Sequence, residues 1–407
     1  MTKRIVIIGG GPAGYEAALV GAKYGAEVTV VEDAGMGGSS VLYDCVPSKA
    51  FIAATGVRTD MRRADDMGLR PDFSSRKIDF TAVNERVQRL AQNQSDDVRA
   101  QMDGEGITVL QGRGRLDDYE PGRTTHYVTV ELLEGGEETI ECDLVLVATG
   151  ASPRILPGAR PDGERILTWR QVYDLEEMPE HLVVVGSGVT GAEFVSAFTE
   201  LGVKVTMVAS RDRILPHEDA DAADALEGVL LELGVDVVKN ARCDLVERTD
   251  DGGVRVVTSD GREVLASHAL ITVGSIPNTA DLGLEAVGVD RTDSGHIKVD
   301  RVSRTSVPGI YAAGDCTDLF PGVRRRDAGP HRHVPRPGRG RVPDSSAHRV
   351  LRRVHPPGNR HRRRFPGADR GRRGFRPRRG VPPRRQPARQ DALAAPRLRQ
   401  AVLPQEL

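Results

Sequence analysis

This chain of 407 residues predicts an α/β fold of two parallel-sheet units, on three observations. Gly9-Gly10-Gly11-Pro12-Ala13-Gly14 follows the apolar run Ile5–Ile8. Gly186-Ser187-Gly188-Val189-Thr190-Gly191 follows the apolar run Leu182–Val185. After Phe320-Pro321 the composition changes abruptly. The first two features put strand, Gly-rich turn and helix in order twice, an internal repeat of two Rossmann-like dinucleotide-binding domains. The third predicts a basic, disordered C-terminal tail.

Each element follows from its residues. Four consecutive apolar residues at Ile5–Ile8 suit a strand buried on both faces. Helix Pro12–Tyr24 has proline in its first turn, where a missing N–H leaves no bond unmade. Val28–Val31 is the second strand and ends at Glu32. Residues 82–102 form a polar helix with Val83, Val87, Leu90 and Ala91 on one face. Tyr127–Leu133 and Glu138–Cys142 are antiparallel strands around Glu134-Gly135-Gly136. Leu144–Ala148 is a further buried strand, closed by Thr149-Gly150. The second unit repeats the order with strand His181–Val185, helix Gly191–Leu201 and strand Val203–Val208. Asp221–Leu233 follows as a helix with Leu226, Val229, Leu230 and Leu233 on one stripe. The expected organisation is one domain of residues 1–151 and 274–321, a second of 152–273, and a tail of 322–407.

The net charge of −1 averages two unlike parts. Residues 322–407 hold 25 arginines, no lysine, four aspartates and one glutamate, a net +20, so residues 1–321 carry −21. The tail has no Ile, Lys, Met, Tyr, Trp, Thr or Cys. Its Pro and Gly recur too often for long elements, and it buries too little apolar surface to offset chain entropy. Three readings compete. Arginine clusters neutralise phosphates, as in a nucleic-acid-binding tail, but Phe365 and Phe375 are the only aromatics available for base stacking. A solvated linker is the second reading. The third is a frame-shifted translation of a GC-rich gene, and the genetic code favours it. Moved one nucleotide forward, the codons of Gly322–Pro335 permit a helical sequence of ordinary composition, and Asp327, His331 and His333 then allow only Met, Thr or Ile.

Other classes are set aside by composition. No uncharged apolar run reaches membrane-spanning length. The N-terminus enters a strand directly, without a leader, so a cytoplasmic protein is expected. Cys45, Cys142, Cys243 and Cys316 are far apart, with neither metal-type spacing nor a disulfide framework. The last three are expected to be buried structural thiols.

In the first fingerprint Gly9 makes the tight turn, Gly11 lets the backbone approach a pyrophosphate, and Gly14 lets helix and strand pack closely. Pro12 and Ala13 open the helix, whose unpaired N–H groups face the phosphates. Glu32 ends the second strand, where a carboxylate can accept both ribose hydroxyls. The second fingerprint, Gly186, Gly188, Val189, Thr190 and Gly191, differs at the acid. The matching offset falls on Ala209, followed by Ser210 and Arg211. With no carboxylate to repel a 2′-phosphate, and Arg211 or Arg213 available to pair with one, NADPH or dual use is favoured over strict NADH. Arg211 as a plain solvated loop charge is the alternative.

With these residues in hand, residues 1–321 resemble the pyridine nucleotide–disulfide oxidoreductases. The resemblance rests on the first fingerprint with Glu32, the stretch Gly37–Lys49, Ala148-Thr149-Gly150, Gly186–Glu193, Val273-Gly274-Ser275-Ile276-Pro277-Asn278 and Gly314-Asp315. It implies two domains of the three-layer ββα type. FAD is implied in the first site, at Gly9, Gly11, Pro12, Ala13, Gly14, Glu32, Gly38, Lys49, Gly114, Thr149, Gly150, Gly314 and Asp315, with Asp315 on the ribityl chain. NAD(P)H is implied in the second, at Gly186, Gly188, Val189, Thr190, Gly191, Ser210, Arg211 and Gly274. Lys49 and Glu193 are implied to form an ion pair beside the flavin. Homodimerisation through a C-terminal domain is also implied, but the tail as written offers no such domain.

One departure decides the expected chemistry. The family's motif has two cysteines flanking four residues; here the first position is Ser40 and only Cys45 remains. A hydroxyl cannot form the dithiol, so disulfide exchange has no route. A branch that lacks the disulfide in this way, the mycobacterial-type NAD(P)H–quinone reductases, is similar at Val46–Lys49, Ala151–Pro157 and Asp162–Arg170. The implied reaction is hydride transfer from NAD(P)H to the flavin, then electron transfer to a quinone or similar small acceptor. Lys49, Glu193 and Cys45 are the expected catalytic residues, Cys45 as a thiolate in a positive local field. A true disulfide reductase and an inactive flavoprotein remnant are the rivals. No metal, nucleic-acid partner or stable membrane insertion is expected.

Overall fold

The computed structural model describes residues 2–66, 68, 78–117 and 124–318. The tail expectation therefore lies outside the described residues. Two parallel sheets form the framework. The first has seven strands in the order Ile310–Ala312, Leu144–Val147, Arg4–Ile8, Glu27–Glu32, Thr108–Leu116, His126–Leu132 and Glu137–Cys142. Its first five are parallel, and the last two turn back antiparallel. The second has five parallel strands in the order Asp236–Val238, Lys204–Val208, His181–Val185, His268–Ile271 and Ile166–Thr168.

Alternation along the central strands explains the layers, since successive side chains point to opposite faces. Ile5 and Ile7 pack with Ala17 and Ala18 of helix α1 (Pro12–Lys23). Val6 and Ile8 pack on the other face with Val128 and Val130 of the antiparallel strands. In the second sheet, Leu182 and Val184 face helices, whereas Val183 and Val185 face an antiparallel ladder of Cys243–Arg248, Val254–Thr258 and Glu263–Ala266. Each sheet thus has helix on one face and antiparallel β-structure on the other. This is the predicted three-layer ββα arrangement, built twice.

The short helix α2 (Gly38–Leu42) and the long α3 (Cys45–Asp66) follow the first two strands. Helix α4 (Phe80–Gly104) packs against α3. Helix α5 (Val189–Glu200) opens the second repeat, and α6 (Ala220–Glu232) follows it. Helix α3 joins the two repeats. Its Phe51 is fully buried in the core of the second, with ring centroids 5.3 Å from Phe198 and 6.0 Å from Tyr173. The Thr55 hydroxyl donates to Glu200 of α5 at 2.8 Å. This packing fixes α3 against α5.

Two predicted stripes need correction. On α4, Val87 and Ala91 are buried but Leu90 is exposed, and the buried line runs Phe80, Asn84, Val87, Ala91, Ser95, Val98 and Met102. Two polar residues enter it because their side chains reach backbone carbonyls: Asn84 donates to Leu175 O and Ser95 to Met36 O. On α6, Leu230 is buried with Ala223 and Glu227, Leu226 is partly buried, and Val229 and Leu233 are exposed. The buried Glu227 is admitted by its ion pair with Lys239. Cys142, Cys243 and Cys316 are buried, as expected. Burial pushes the Cys142 thiol up to about 12 and that of Cys243 to about 11, so both are inert. Among the described residues no helix is long and apolar enough to cross a membrane.

Candidate functional site

The first fingerprint has the geometry of a cradle. Gly9 has φ +108°, and a Cβ there would lie 2.4 Å from the Ala148 carbonyl oxygen, so only glycine makes this turn. A Cβ at Gly14 would lie 1.9 Å from the Gly9 carbonyl oxygen, which is close packing of helix on strand. At Gly11 the space is open, with Gly38 Cα at 4.0 Å the sole neighbour. A backbone that packs tightly at two glycines and opens at the third, at the N-terminus of α1, fits a bound pyrophosphate. Pro12 is the first residue of that helix, and no side chain caps it. Ala13 faces Gly314 across 3.4 Å to a built Cβ, and Asp315 beside it is exposed.

Glu32 ends its strand as predicted, and its oxygens accept from the N–H of Gly10 (2.5 Å), Ala34 (2.7 Å) and Gly35 (3.3 Å). A carboxylate has about four acceptor sites, so capacity remains for a ribose hydroxyl. Thr149 and Gly150 are held by Asn278, which donates to Thr149 O (2.9 Å) through its side chain and to Gly150 O (2.9 Å) through its backbone. The side of Gly150 where a Cβ would stand is open. Gly114 is packed differently: it is buried in its strand opposite Val130, and a Cβ there would meet Ile8 at 3.2 Å.

The second fingerprint repeats the first. Gly186 has φ +116°, a Cβ at Gly191 would lie 2.2 Å from Gly186 O, and Gly188 opens onto free space. Val189 is exposed at the start of α5. Beyond the next strand Ala209 is fully buried, while Ser210 and Arg211 are exposed. The Asn240 N–H donates to Arg211 O at 3.1 Å and anchors that loop. Gly274 is also open where a Cβ would stand, and its carbonyl accepts from Arg154 N–H.

Helix α3 brings the two cradles together. Lys49 Nζ lies 2.7 Å from Glu193 Oε1, the ion pair implied by the resemblance. Burial opposes the Lys49 charge, but the Glu193 carboxylate outweighs it and holds the ammonium above its ordinary value. Cys45 opens α3 and is solvent-accessible. Partial burial pushes the Cys45 thiol above its ordinary value, Asp44 adds to this, and Lys49 and Ser40 only partly oppose it.

Sequence reasoning passed over Asp44. Its carboxyl is lifted by burial, pulled down by Lys49, and lifted again by Glu193 and Asp315. Its position between Tyr43 and Cys45, inside the motif, was the available signal. Tyr173 was also missed. Its hydroxyl is sealed without a partner, and burial together with Asp44 and Glu193 raises it. The structure thus gathers Asp44, Cys45, Lys49 and Glu193 between two nucleotide cradles. Such a cluster can orient two ring systems and hold protons; among the described residues it has no second thiol.

Known proteins agree with this geometry. Residues 3–337 match the family model described as pyridine nucleotide-disulphide oxidoreductase. The chain is 57% identical over 324 residues to an NAD(P)H dehydrogenase (quinone) of Mycobacterium tuberculosis, covering 79% of this chain and 66% of the relative. It is 33% identical over 314 residues to a dihydrolipoyl dehydrogenase of Chlorobaculum parvum, covering 76% and 65%. Among solved structures, LpdA of M. tuberculosis matches with a TM-score of 0.75 and 56% identity, covering 78% of this chain and 69% of that one. The chain thus spans just under two thirds of the length of these curated relatives. On the match over residues 3–337 and the twice-built cradle, this chain belongs to the pyridine nucleotide-disulphide oxidoreductases.

Proposed function

We propose that this protein oxidises NAD(P)H through FAD and passes the electrons to a small quinone-like acceptor, without a cysteine pair. The observation that carries the reading is the company of Cys45. Ser40 stands beside it in place of a thiol, and Cys142, Cys243 and Cys316 are buried. The M. tuberculosis relative, an NAD(P)H dehydrogenase (quinone), supports the same acceptor class.

In this reading residues 1–151 and 274–321 hold FAD, and residues 152–273 hold the nicotinamide coenzyme. FAD, when bound, supplies acceptance of a hydride and release of electrons. The chain's own residues orient and exclude. The open backbone at Gly11, with Gly38 beside it, receives the pyrophosphate, and Glu32 and Asp315 receive hydroxyls. Gly188, Val189 and Thr190 receive the second pyrophosphate, with Ser210 and Arg211 at the 2′ position, which favours NADPH or dual use. The Lys49–Glu193 pair sets the charge where the two rings meet. Cys45 has no partner thiol among the described residues and does not cycle. A cytoplasmic enzyme, dimeric when its family's C-terminal domain is present, completes the proposal.

The test is turnover by the full chain reconstituted with FAD. NADPH or NADH oxidation is expected with a soluble quinone, and none above background with lipoamide or glutathione disulfide. Turnover of lipoamide without quinone activity would overturn the proposal. One observation favours a second reading, an inactive remnant: the composition breaks abruptly after Phe320-Pro321. That reading predicts a yellow protein that oxidises neither coenzyme.

A further inference from the structure

Arg170 is a half-buried cation with no counter-ion among the described residues. It follows the strand Ile166–Thr168 of the five-stranded sheet, yet its guanidinium reaches the loops of the other sheet. Nη2 donates to Ser39 Oγ at 2.9 Å and to Ala151 O at 3.3 Å. Cζ lies 5.1 Å from the Tyr43 ring centroid and 5.3 Å from that of Trp169, so two aromatic rings hold the charge in place. Nε is sealed from solvent and has no partner. Among the described residues no carboxylate forms an ion pair with it. Asp33, the acid whose field reaches it, is paired with Arg113 at 3.0 Å. A desolvated cation without an anion is destabilising. A fold that keeps one has a use for it when an anion arrives from outside.

Its two hydrogen-bond partners say where that anion sits. Ser39 follows Gly38, the residue that borders the open backbone at Gly11. Ala151 follows Ala148-Thr149-Gly150, and Ala148 O and Thr149 N lie against Gly9 of the same cradle. We propose that Arg170 is the counter-ion of the FAD pyrophosphate, acting with the N–H groups of the first fingerprint. The inference rests on the reading of that cradle as the FAD site. A planar guanidinium matches phosphate oxygens as a fork, which a lysine cannot do. Ser39 accepts from Arg170 and therefore keeps its own proton to donate, so hydroxyl and guanidinium can serve one phosphate together. Because Arg170 comes from the sheet that carries the second fingerprint, FAD binding also ties the two repeats together.

The test is FAD titrated into the full-length apoprotein, followed by quenching of flavin fluorescence at several NaCl concentrations. Wild type is compared with R170Q and R170K. R170Q is expected to weaken FAD binding by about tenfold or more, the usual effect of losing a charge-assisted bond, with the apoprotein melting temperature unchanged. R170K is expected to fall between the two. Wild-type affinity is expected to drop with salt more steeply than that of R170Q. Equal affinity and equal salt slope for R170Q and wild type would overturn the inference and leave Arg170 as scaffolding. If R170Q does not fold, the wild-type salt series decides, since a salt-independent affinity also overturns it. A wild-type apoprotein that binds no FAD at any salt concentration sinks the FAD reading itself, and this inference with it.

Discussion

Lys49 and Glu193 lie 144 positions apart and make one contact, so what that contact is for can be asked of stability and of chemistry separately. The Lys49 side chain is 60% exposed. Exposed pairs contribute about 0–1 kcal/mol, so the pair is not there to hold the fold. Lys49→Met or Glu193→Gln is expected to move the melting temperature by no more than about 2 °C. Stopped-flow bleaching of the flavin by NADPH is expected to slow by about tenfold or more, because the proposed function puts this charge where hydride arrives. A large loss of stability with an unchanged bleaching rate would show the reverse assignment. Cys45 allows a second test at the same scale. Its thiol is raised by partial burial and then by the Asp44 carboxylate. Removing that negative charge with Asp44→Asn lowers the thiol's ionisation range, so the curve of iodoacetamide reaction rate against pH is expected to shift to lower pH. An unshifted curve would remove Asp44 from the cluster.

At the scale of the element, the three glycines of a fingerprint do different jobs, and two substitutions separate them. A Cβ at Gly188 enters free space, whereas one at Gly191 would lie 2.2 Å from Gly186 O. Gly188→Ala is expected to fold with wild-type stability and to raise the KM for NADPH by about tenfold or more, since the methyl stands where a pyrophosphate would lie. Gly191→Ala is expected to lower the melting temperature by several degrees, on the order of the 1–3 kcal/mol that overpacking costs. Similar behaviour of the two variants in a paired melting and kinetic measurement would refute this division. These roles were legible in the sequence because a Gly-rich turn between strand and helix has few geometries. The stripes of α4 and α6 were not. Asn84, Ser95 and Glu227 are buried through bonds to Leu175, Met36 and Lys239, partners that no local period announces. The Lys49–Glu193 pair came from a motif resemblance and not from spacing. Arg170 was visible only as one letter of a similar run, because its partners Ser39 and Ala151 are distant in sequence and lie in other elements.

The whole molecule sets a body of charge −21 beside a tail of +20. Among the described residues, the last strand of either parallel sheet ends at Ala312 and the last core residue of the first is Cys316. The frame-shift reading holds that residues 322–407 were never selected to pack on this body, whereas a functional tail would have a surface to serve. The two readings differ in what deletion does. If the segment is out of frame, a chain ending at residue 321 is expected to match the full chain within about 2 °C in melting temperature and to bind FAD equally well. Sequencing the DNA across codon 321 is then expected to show a one-nucleotide discrepancy. Correcting it would restore a sequence of ordinary composition and, with it, dimerisation measurable by sedimentation. A confirmed reading frame, together with a destabilised 1–321 chain, would instead make the arginine-rich segment part of the working protein. The acidic body would then be its partner, and raising the salt concentration should lower the full chain's stability but not that of the shortened one.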